Sequence, residues 1–500
     1  HFYETASIIA GSIDVLPNTM LNPNSLEQNI YRNLAAQIQS GFYSEGNRFP
    51  PAQEIARLFN VSYGPAQRAL KMLEKEGLIK IGRGKETVVL KKPYDNFLES
   101  DTFKKRILSL IDLCESLRLL SPAVNLQGMC HMDLDTELAR PLPENNRIGQ
   151  WKMQYRLFDE SLLALGNQTV HGLYHDINAF VESAFLDIFH ATHTEEEEKT
   201  CLNRLGNDYR KCLANCKNGN MAEAKKGLEA LTDAFLVTPK KYLSVLPADR
   251  TIQETFSWAP QKGRTRYCDM IAIDLVRKIN EGAYPAGTLL PKGAILANIY
   301  HVSPITIRRT IGLLNKLGVA KTVNGVGTRV VSAENSDMSG SLKAMILGNN
   351  LRTFLEAYQL LVMTCEPFIC HSFPHFPEEL VEKFRQATTI TEPNSAITAI
   401  TASCLQGIVR YCPLASIREI YSKLTLLLLN GSAIPPAKLS IDWKTGSKKL
   451  AESLDAKNGD RFAFVFSRLL NDLFTTMKSH LEKMGVKNIG PIVQPVMNDR

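Results

Sequence analysis

The sequence predicts a mainly α-helical protein with small β wings, built by internal duplication of a basic module and the helical bundle that follows it. Three observations support this fold class. The chain has 500 residues, too many for one hydrophobic core. One basic module recurs 241 positions further along without a gap. Helical periodicity dominates residues 95–240 and 340–490, which follow the two copies.

Basic charge is concentrated in the two copies of the module. Residues 31–90 contain nine Lys/Arg and five Asp/Glu, and residues 272–331 contain eight and two. Their net charges of +4 and +6 leave −3 for the remaining 380 residues of a chain whose total is +7. Such concentration in two short segments is typical of proteins that bind a polyanion.

The two copies agree at glycines, at one proline and at apolar positions. This pattern indicates a duplicated fold and disfavours a chance match. The matching pairs include Leu34 with Leu275, Ile38 with Ile279, Gly41 with Gly282, Tyr43 with Tyr284, Gly46 with Gly287, Pro50 with Pro291, Val61-Ser62 with Val302-Ser303, Arg68 with Arg309, Gly77 with Gly318 and Gly84 with Gly325.

Each copy is predicted to contain three helices and a β-hairpin. In the first copy, the predicted elements are a helix over 31–40 ended by Gly41, a turn-rich connection over 42–50, a short helix over 51–59, a turn at 60–62, a helix to about residue 76 and two strands over 78–90. Ser62 is placed to cap the third helix, and Pro65 lies in its first turn. The second copy repeats this order, with Ser303 as the cap, Pro304 just inside the helix and a wing over 319–331. The order is that of a winged helix-turn-helix, whose third helix fits the major groove of DNA.

These residues resemble the GntR family of bacterial regulators. The family signature G-x-Y-x-x-G-x-x-L-P is matched by Gly41-x-Tyr43-x-x-Gly46-x-x-Phe49-Pro50 and by Gly282-x-Tyr284-x-x-Gly287-x-x-Leu290-Pro291. A "VS" pair then opens the third helix in both copies, and a glycine-rich wing follows. The resemblance implies a cytoplasmic, bacterial, sequence-specific DNA-binding regulator of transcription that is not an enzyme.

The copies depart from the family pattern in different ways. The family places an Arg in helix two, another after "VS", and Thr-Val-Arg along the recognition helix. The first copy has Gln53, Tyr63 and Pro65-Ala66-Gln67 there, whereas the second has Ala294, Pro304 and Thr306-Ile307-Arg308. Because a bidentate Arg–guanine contact is worth about 1–3 kcal/mol, the copies are expected to differ in base readout. The alternative is that one copy is kept for packing alone.

The resemblance implies fifteen DNA-contacting residues, at the family's positions in helix two, in the recognition helix and at the wing tip. The first copy keeps a basic wing tip, and the second has an Asn-Gly tip. The residues are Gln53, Ser62, Tyr63, Gln67, Arg68, Arg83, Gly84, Lys85, Lys292, Ser303, Thr306, Arg308, Arg309, Asn324 and Gly325.

The segments after the two modules resemble the all-helical effector domain of the fatty-acid-regulator-like branch of the family. The resemblance is carried by Gly166-Asn167 and Lys217-Asn218-Gly219-Asn220 in the first half, and by Pro413-Leu414 and Lys457-Asn458-Gly459-Asp460 in the second. In that branch three histidines commonly bind a divalent metal. Their positions fall here on Phe158 (or Asp159), Tyr209 and Leu231, and on Lys449 and Asn471 in the second bundle.

No metal and no cofactor are therefore predicted in these bundles. His171 and His175 are spaced to chelate an ion, but a structural or exposed-helix role is favoured. An effector is expected to be an organic molecule in an apolar pocket between helices, with its contact residues undetermined.

The predicted organisation is an N-terminal extension (1–24), a winged helix (25–92), a helical domain (93–245), a linker (246–264), a second winged helix (265–332) and a second helical domain (340–490). A membrane span and a signal peptide are not expected, because no apolar run is long enough and residues 1–20 lack a basic start. Ten scattered cysteines without a CxxC pair are expected to be reduced thiols.

The expected partners are a double-stranded DNA operator and a small-molecule effector. The chain is predicted to act as a single-chain pseudo-dimer, with a homodimer or higher oligomer as the alternative. A winged helix fused to an aminotransferase-like enzyme is disfavoured, because no βα alternation and no glycine-rich cofactor turn occur. A third hypothesis is a helical scaffold or sensor whose winged helices contact proteins and no longer read DNA.

Overall fold

The computed structural model describes residues 26–59, 61–82, 86–140, 147–248, 253–258, 260, 267–280, 282–331, 340–434 and 442–497. The predicted N-terminal extension and the wing tip of the first copy lie outside these ranges. The described residues divide into two compact units, one within the ranges 26–260 and 414–419, the other within the ranges 267–413 and 420–497. Each unit contains one winged helix-turn-helix domain and helices that follow it.

The first winged helix contains three helices and a three-stranded antiparallel sheet. In chain order the elements are α1 (Leu26–Gln39), β1 (Arg48–Phe49), α2 (Ala52–Leu58), α3 (Tyr63–Lys75), β2 (Ile79–Lys80) and β3 (Thr87–Val89). The strand order is β1-β3-β2, with Arg48 opposite Val88 and Ile79 opposite Val89. The short strand β1 is absent from the sequence prediction, which has only a turn-rich connection there.

The second winged helix repeats this order with a smaller sheet. It contains α10 (Tyr267–Asn280), α11 (Gly293–Ile299), α12 (Pro304–Lys316), β4 (Ala320–Val323) and β5 (Gly327–Val330). The counterpart of β1 is reduced to a single bridge between Leu289 and Arg329. The predicted wing around the Asn324-Gly325 turn is confirmed.

The repeated glycines have the same backbone conformation in both copies. Three pairs have left-handed φ angles, a region that residues with a Cβ atom rarely occupy. The pairs are Gly41 and Gly282 at 80° and 81°, Gly46 and Gly287 at 78° and 83°, and Gly77 and Gly318 at 70° and 66°. The sequence agreement therefore reflects three identical turns.

Between the winged helices, the described residues of the first unit form six α-helices. They are α4 (Asp101–Met129), α5 (Leu134–Ala139), α6 (Arg147–Ala164), α7 (Gln168–Thr192), α8 (Glu195–Lys217) and α9 (Met221–Ser244). Helix α4 packs against α9 and α6, and α8 packs against α9. Pro239 lies within α9, and the helix ends at Ser244, before the predicted linker over 246–264.

The remaining helices follow the second winged helix. They are α13 (Gly340–Ser372), α14 (Glu378–Thr388), α15 (Pro393–Tyr411), α16 (Ala415–Leu428), α17 (Trp443–Asp455) and α18 (Gly459–Lys483). Helix α13 packs against α18, whose buried aromatic residues include Phe462, Phe466 and Phe474. Among the residues that the structure describes, no helix is long and apolar enough to cross a membrane.

Candidate nucleic-acid interface

The predicted DNA-contacting residues lie on the surface wherever the structure describes them. Eleven are exposed and Thr306 is half-buried. The exposed ones are Gln53, Ser62, Tyr63, Gln67, Arg68, Lys292, Ser303, Arg308, Arg309, Asn324 and Gly325. Arg83, Gly84 and Lys85, the predicted basic wing tip, fall outside the described residues.

Helix α12 of the second winged helix presents two adjacent arginines to solvent. Arg308 and Arg309 are exposed, whereas Ile307 and Thr310 on either side are buried in the domain core. The Thr310 hydroxyl donates to the backbone oxygen of Cys268 at 3.2 Å, which ties α12 to the first helix of the domain. The helical period thus places both guanidinium groups on the open face while its other face is fixed.

The beginning of α12 is capped as the sequence predicts. Ser303 has an extended backbone, and its Oγ accepts a hydrogen bond from the Thr306 amide at 3.3 Å. The prediction is wrong for Ser62 at the equivalent position. Ser62 precedes α3 with the same extended backbone but forms no side-chain cap, so an amide at the start of that helix lacks this partner. Sequence identity at the cap position does not fix the hydroxyl rotamer.

Each wing is fixed to the recognition helix by a side chain near the helix end. Asn315 of α12 accepts from the Thr322 amide at 3.1 Å and donates to the Thr322 hydroxyl at 2.9 Å. In the first copy the equivalent position is Glu74, whose carboxylate accepts from the Ile81 amide at 2.8 Å. Sequence reasoning missed this pair, because the residue types differ although the function in the fold is the same.

Part of the positive charge on the recognition helix of the first winged helix, α3, is neutralised by an ion pair. Arg68 Nη2 lies 3.4 Å from a carboxylate oxygen of Glu27, which belongs to the first turn of α1. The equivalent of Glu27 in the second copy is Cys268, a buried and uncharged residue. The first copy therefore presents less positive charge along its recognition helix than the second, in addition to lacking the arginine that corresponds to Arg308.

A cavity of about 460 Å³ lies in the first unit, where the end of α1 meets the helical bundle. Its wall is mainly aromatic and aliphatic, with polar groups from α7 and from the turn after α1. The lining includes Ser40, Phe42, Lys92, Asn125, Trp151, Tyr155, Phe158, Tyr174, Glu182, Phe185, His190 and Phe235. A cavity of this size and composition suits a small organic molecule.

Hydrogen bonds join the first winged helix to the helices that form the cavity wall. The Ser40 hydroxyl donates to Glu182 Oε1 at 3.1 Å, and Gln37 Nε2 donates to the Tyr155 hydroxyl at 3.3 Å. Loss of hydration raises the pKa of the Glu182 carboxyl to about 7, and the Ser40 hydrogen bond opposes this only in part. A carboxyl that changes charge near neutral pH therefore lies between the winged helix and the bundle.

One cluster in the first unit has donors suited to a metal ion. Asp159, His171 and His175 bring three ligand atoms within 4.8 Å of one another. The sequence identified the two histidines by their spacing, and the family resemblance named Asp159 as an alternative ligand position, but neither connected Asp159 with the histidines, because it lies on the preceding helix. Its approach depends on the turn between the helices, which spacing alone does not define.

Comparison with known proteins agrees with the sequence resemblance. A family model described as "Bacterial regulatory proteins, gntR family" matches residues 26–89 and 268–330. These ranges coincide with the two winged helix-turn-helix domains. No curated protein matches the chain significantly.

Solved structures similar to parts of the chain include three regulators. A GntR protein of Streptococcus agalactiae has 16% identity and a TM-score of 0.19, with 42% of this chain and 99% of that chain covered. A GntR family member from Pseudomonas syringae pv. tomato has 16% identity and a TM-score of 0.20, covering 44% and 89%. Lar, described as controlling expression of the Listeria monocytogenes agr system, has 13% identity and a TM-score of 0.19, covering 44% and 98%.

Proposed function

Because this chain carries two DNA-binding domains of the GntR family of bacterial regulatory proteins, we propose that it is a sequence-specific regulator of transcription acting in the bacterial cytoplasm. The observation that carries the proposal is the exposed Arg308–Arg309 pair on a capped recognition helix beside the paired strands β4 and β5 of the wing. Arginine is the side chain best suited to bidentate contact with guanine or phosphate.

In the proposed complex, α12 enters the major groove and the wing contacts the adjacent backbone. Arg308 reads a base edge, and Arg309 and Lys292 neutralise phosphates. Asn324 and Gly325 at the wing tip are small enough for the wing to approach the sugar–phosphate backbone closely. Phosphate contacts fix the position of the domain, and base contacts give specificity.

The two domains are proposed to read different half-sites as a single-chain pseudo-dimer. The second has Thr306 and Arg308 where the first has Pro65 and Gln67. Glutamine pairs with adenine in the way that arginine pairs with guanine, so the two halves of the operator should differ in sequence. A selected operator that is perfectly palindromic, or DNA binding that requires two chains, would contradict this arrangement.

The cavity next to the first winged helix is the proposed effector site. Its wall includes Ser40 and Phe42 from the winged-helix side and Tyr155 and Glu182 from the bundle. A molecule that fills it would contact both parts and favour one arrangement of them over another, which is the requirement for allosteric control. The aromatic lining favours an organic effector with a flat apolar portion.

The test is DNA binding by the full chain and by Arg308→Ala, on an operator isolated by selection from random DNA. Loss of a base contact should weaken specific binding by about 1–3 kcal/mol, or roughly 5- to 150-fold, and relax the preference at one position. Arg204→Ala, an exposed arginine on α8, is the matched control and should leave binding unchanged. Equal operator affinity of wild type and Arg308→Ala would reject the base-reading role.

A second candidate function is protein contact through the second winged helix. Several exposed large aliphatic side chains belong to this domain, namely Leu289, Ile295, Ile299, Ile305, Val323 and Val326. Exposed apolar side chains that form a contiguous patch are typical of a protein-binding surface. Salt distinguishes the two functions, since affinity that depends on phosphate contacts falls steeply between about 50 and 200 mM salt. Failure to select any DNA sequence at low salt would favour this second function.

A further inference from the structure

Helices α6 and α7 of the first unit meet at a tight turn and bring three metal-binding side chains together. Asp159 lies in the last two turns of α6, and His171 and His175 lie one helical turn apart near the start of α7. Gly166, between the helices, has a left-handed φ of 63° that allows the reversal. The side chains therefore come from two elements whose connection is fixed.

The three side chains are close enough to share one ion. His171 Nε2 lies 2.8 Å from Asp159 Oδ1, and the two imidazole rings are 4.4 Å apart and perpendicular. All three ligand atoms lie within 4.8 Å of one another. Protein ligands bound at about 2.0–2.2 Å around zinc lie somewhat closer together than this, so small side-chain rotations suffice.

The surroundings suit a site that is sheltered but reachable from solvent. All three residues are half-buried, with 15% of the His171 side chain and 31% of the Asp159 side chain exposed. Two imidazoles and one carboxylate form a donor set that binds zinc and other divalent transition metals, and three protein ligands leave a position for water or a ligand carboxylate.

We propose that Asp159, His171 and His175 bind one divalent transition-metal ion, for which Zn²⁺ is the natural candidate and Co²⁺ a spectroscopic substitute. The ion replaces the His171–Asp159 hydrogen bond, and binding requires both imidazoles in the neutral form. His171 and His175 do not occupy positions at which the related effector domains have their metal-binding histidines, whereas Asp159 is one of the two alternatives for the first of those positions. The other alternative, Phe158, lines the cavity together with Tyr209 and Leu231, and none of the three proposed ligands does.

The first winged helix contacts this site directly. The His175 ring packs against the Phe59 ring, with centroids 5.0 Å apart. Phe59 directly follows α2 as its C-cap residue, and α2 is one of the two helices of the helix-turn-helix. A metal ion that fixes the His175 ring therefore also fixes a surface on which the DNA-binding domain packs.

The first unit contains a natural comparison. His131, just after α4, has its Nδ1 at 2.8 Å from the Gln127 backbone oxygen and belongs neither to the described metal-binding cluster nor to the cavity wall. A single imidazole binds a metal ion much more weakly than a three-donor site, so His131→Ala is a matched control for His175→Ala.

The experiment uses the full chain, dialysed against a chelator and then titrated with Co²⁺ and Zn²⁺ in the absence of DNA. We expect one equivalent of Co²⁺ to give visible d–d absorption, without the near-ultraviolet band of thiolate ligation, and Zn²⁺ to displace it. His175→Ala should weaken Co²⁺ binding by about 100-fold or more, and His131→Ala should leave it unchanged. Asp159→Asn keeps the shape of the side chain and the capacity to hydrogen-bond His171, so it tests the site without a packing defect.

Three outcomes would overturn the proposal. They are no stoichiometric Co²⁺ binding by wild type, equal affinity of wild type and the folded His175→Ala and Asp159→Asn variants, and a spectrum with thiolate bands that survives His175→Ala. The last would place the ion at cysteines instead, for example at Cys130 and Cys216, whose side chains hydrogen-bond each other. Since DNA is absent, none of these results depends on the proposed regulatory function.

Discussion

Replacement of Glu182 by glutamine is expected to stabilise the first unit at alkaline pH. Its carboxyl lies in the cavity wall, and loss of hydration raises its pKa from 4.5 to about 7. The shift corresponds to about 3 kcal/mol at 1.36 kcal/mol for each pH unit, an upper limit because water in the cavity screens the charge. Glutamine is uncharged and can still accept the hydrogen bond from Ser40.

The sign follows from proton binding. Between pH 4.5 and 7 the folded chain holds a proton on Glu182 that the unfolded chain has lost, so the wild type loses stability as the pH rises through this range. Above pH 7 the ionised Glu182 carboxylate lowers the free energy of unfolding by the full amount, and below pH 4.5 this destabilisation is absent. The free energy of unfolding of Glu182→Gln should therefore be about 1–3 kcal/mol higher than that of the wild type at pH 8, and equal to it at pH 4.

The assay is urea unfolding at pH 4, 6 and 8, followed by tryptophan fluorescence, because Trp151 lines the same cavity. Glu229→Gln changes an exposed carboxylate on α9 and serves as the control, with no pH-dependent difference expected. A constant difference between Glu182→Gln and wild type across the three pH values would refute the argument, since a packing effect does not depend on pH.

Three further predictions concern single side chains. Ser303→Ala should lower the free energy of unfolding by about 1 kcal/mol through loss of the cap, and Ser62→Ala, which removes no cap bond, should cost less; urea titration measures both, and equal losses would contradict the assignment. Gly128→Ala should lower the free energy of unfolding by at least about 1–3 kcal/mol, because a Cβ there would lie 2.1 Å from a backbone oxygen of α6. Gly172→Ala is the control, since a Cβ there meets open space and should not destabilise α7. Comparable melting temperatures of the two variants would exclude the close approach at Gly128. Glu27→Gln removes the ion pair on the first recognition helix and should strengthen DNA binding by a few-fold at low salt, an effect that would disappear at high salt; unchanged low-salt affinity in a binding titration would indicate that this helix does not contact phosphate.

The winged helices could be predicted from the sequence because their turns require specific residues. Left-handed φ angles occur at Gly41, Gly77 and their equivalents Gly282 and Gly318. A glycine at these positions therefore indicates the backbone conformation directly from the sequence. The apolar positions of the three helices are equally constrained by the core. Strand β1 was missed because two residues are too few to show alternation.

The sites formed by several elements could not be predicted in this way. The cavity combines residues from the end of α1, from α4 and from four later helices, and no local pattern marks such a set. Asp159 joins His171 only because α6 and α7 fold back on each other, and Glu27 neutralises Arg68 across 41 positions of sequence. Spacing identifies pairs within one helix, but the third partner depends on tertiary packing.

The Ser40–Glu182 hydrogen bond at the edge of the cavity has a thermodynamic consequence for any molecule bound there. If filling the cavity changes the affinity of the first winged helix for its operator by some factor, binding of the operator must change the affinity for that molecule by the same factor. Operator DNA would then act as an effector of the cavity. The hydrogen bond joins the first winged helix to the helical bundle at 3.1 Å. Because the Glu182 carboxyl has a pKa raised to about 7, its ionisation would make this mutual dependence vary with pH around neutrality.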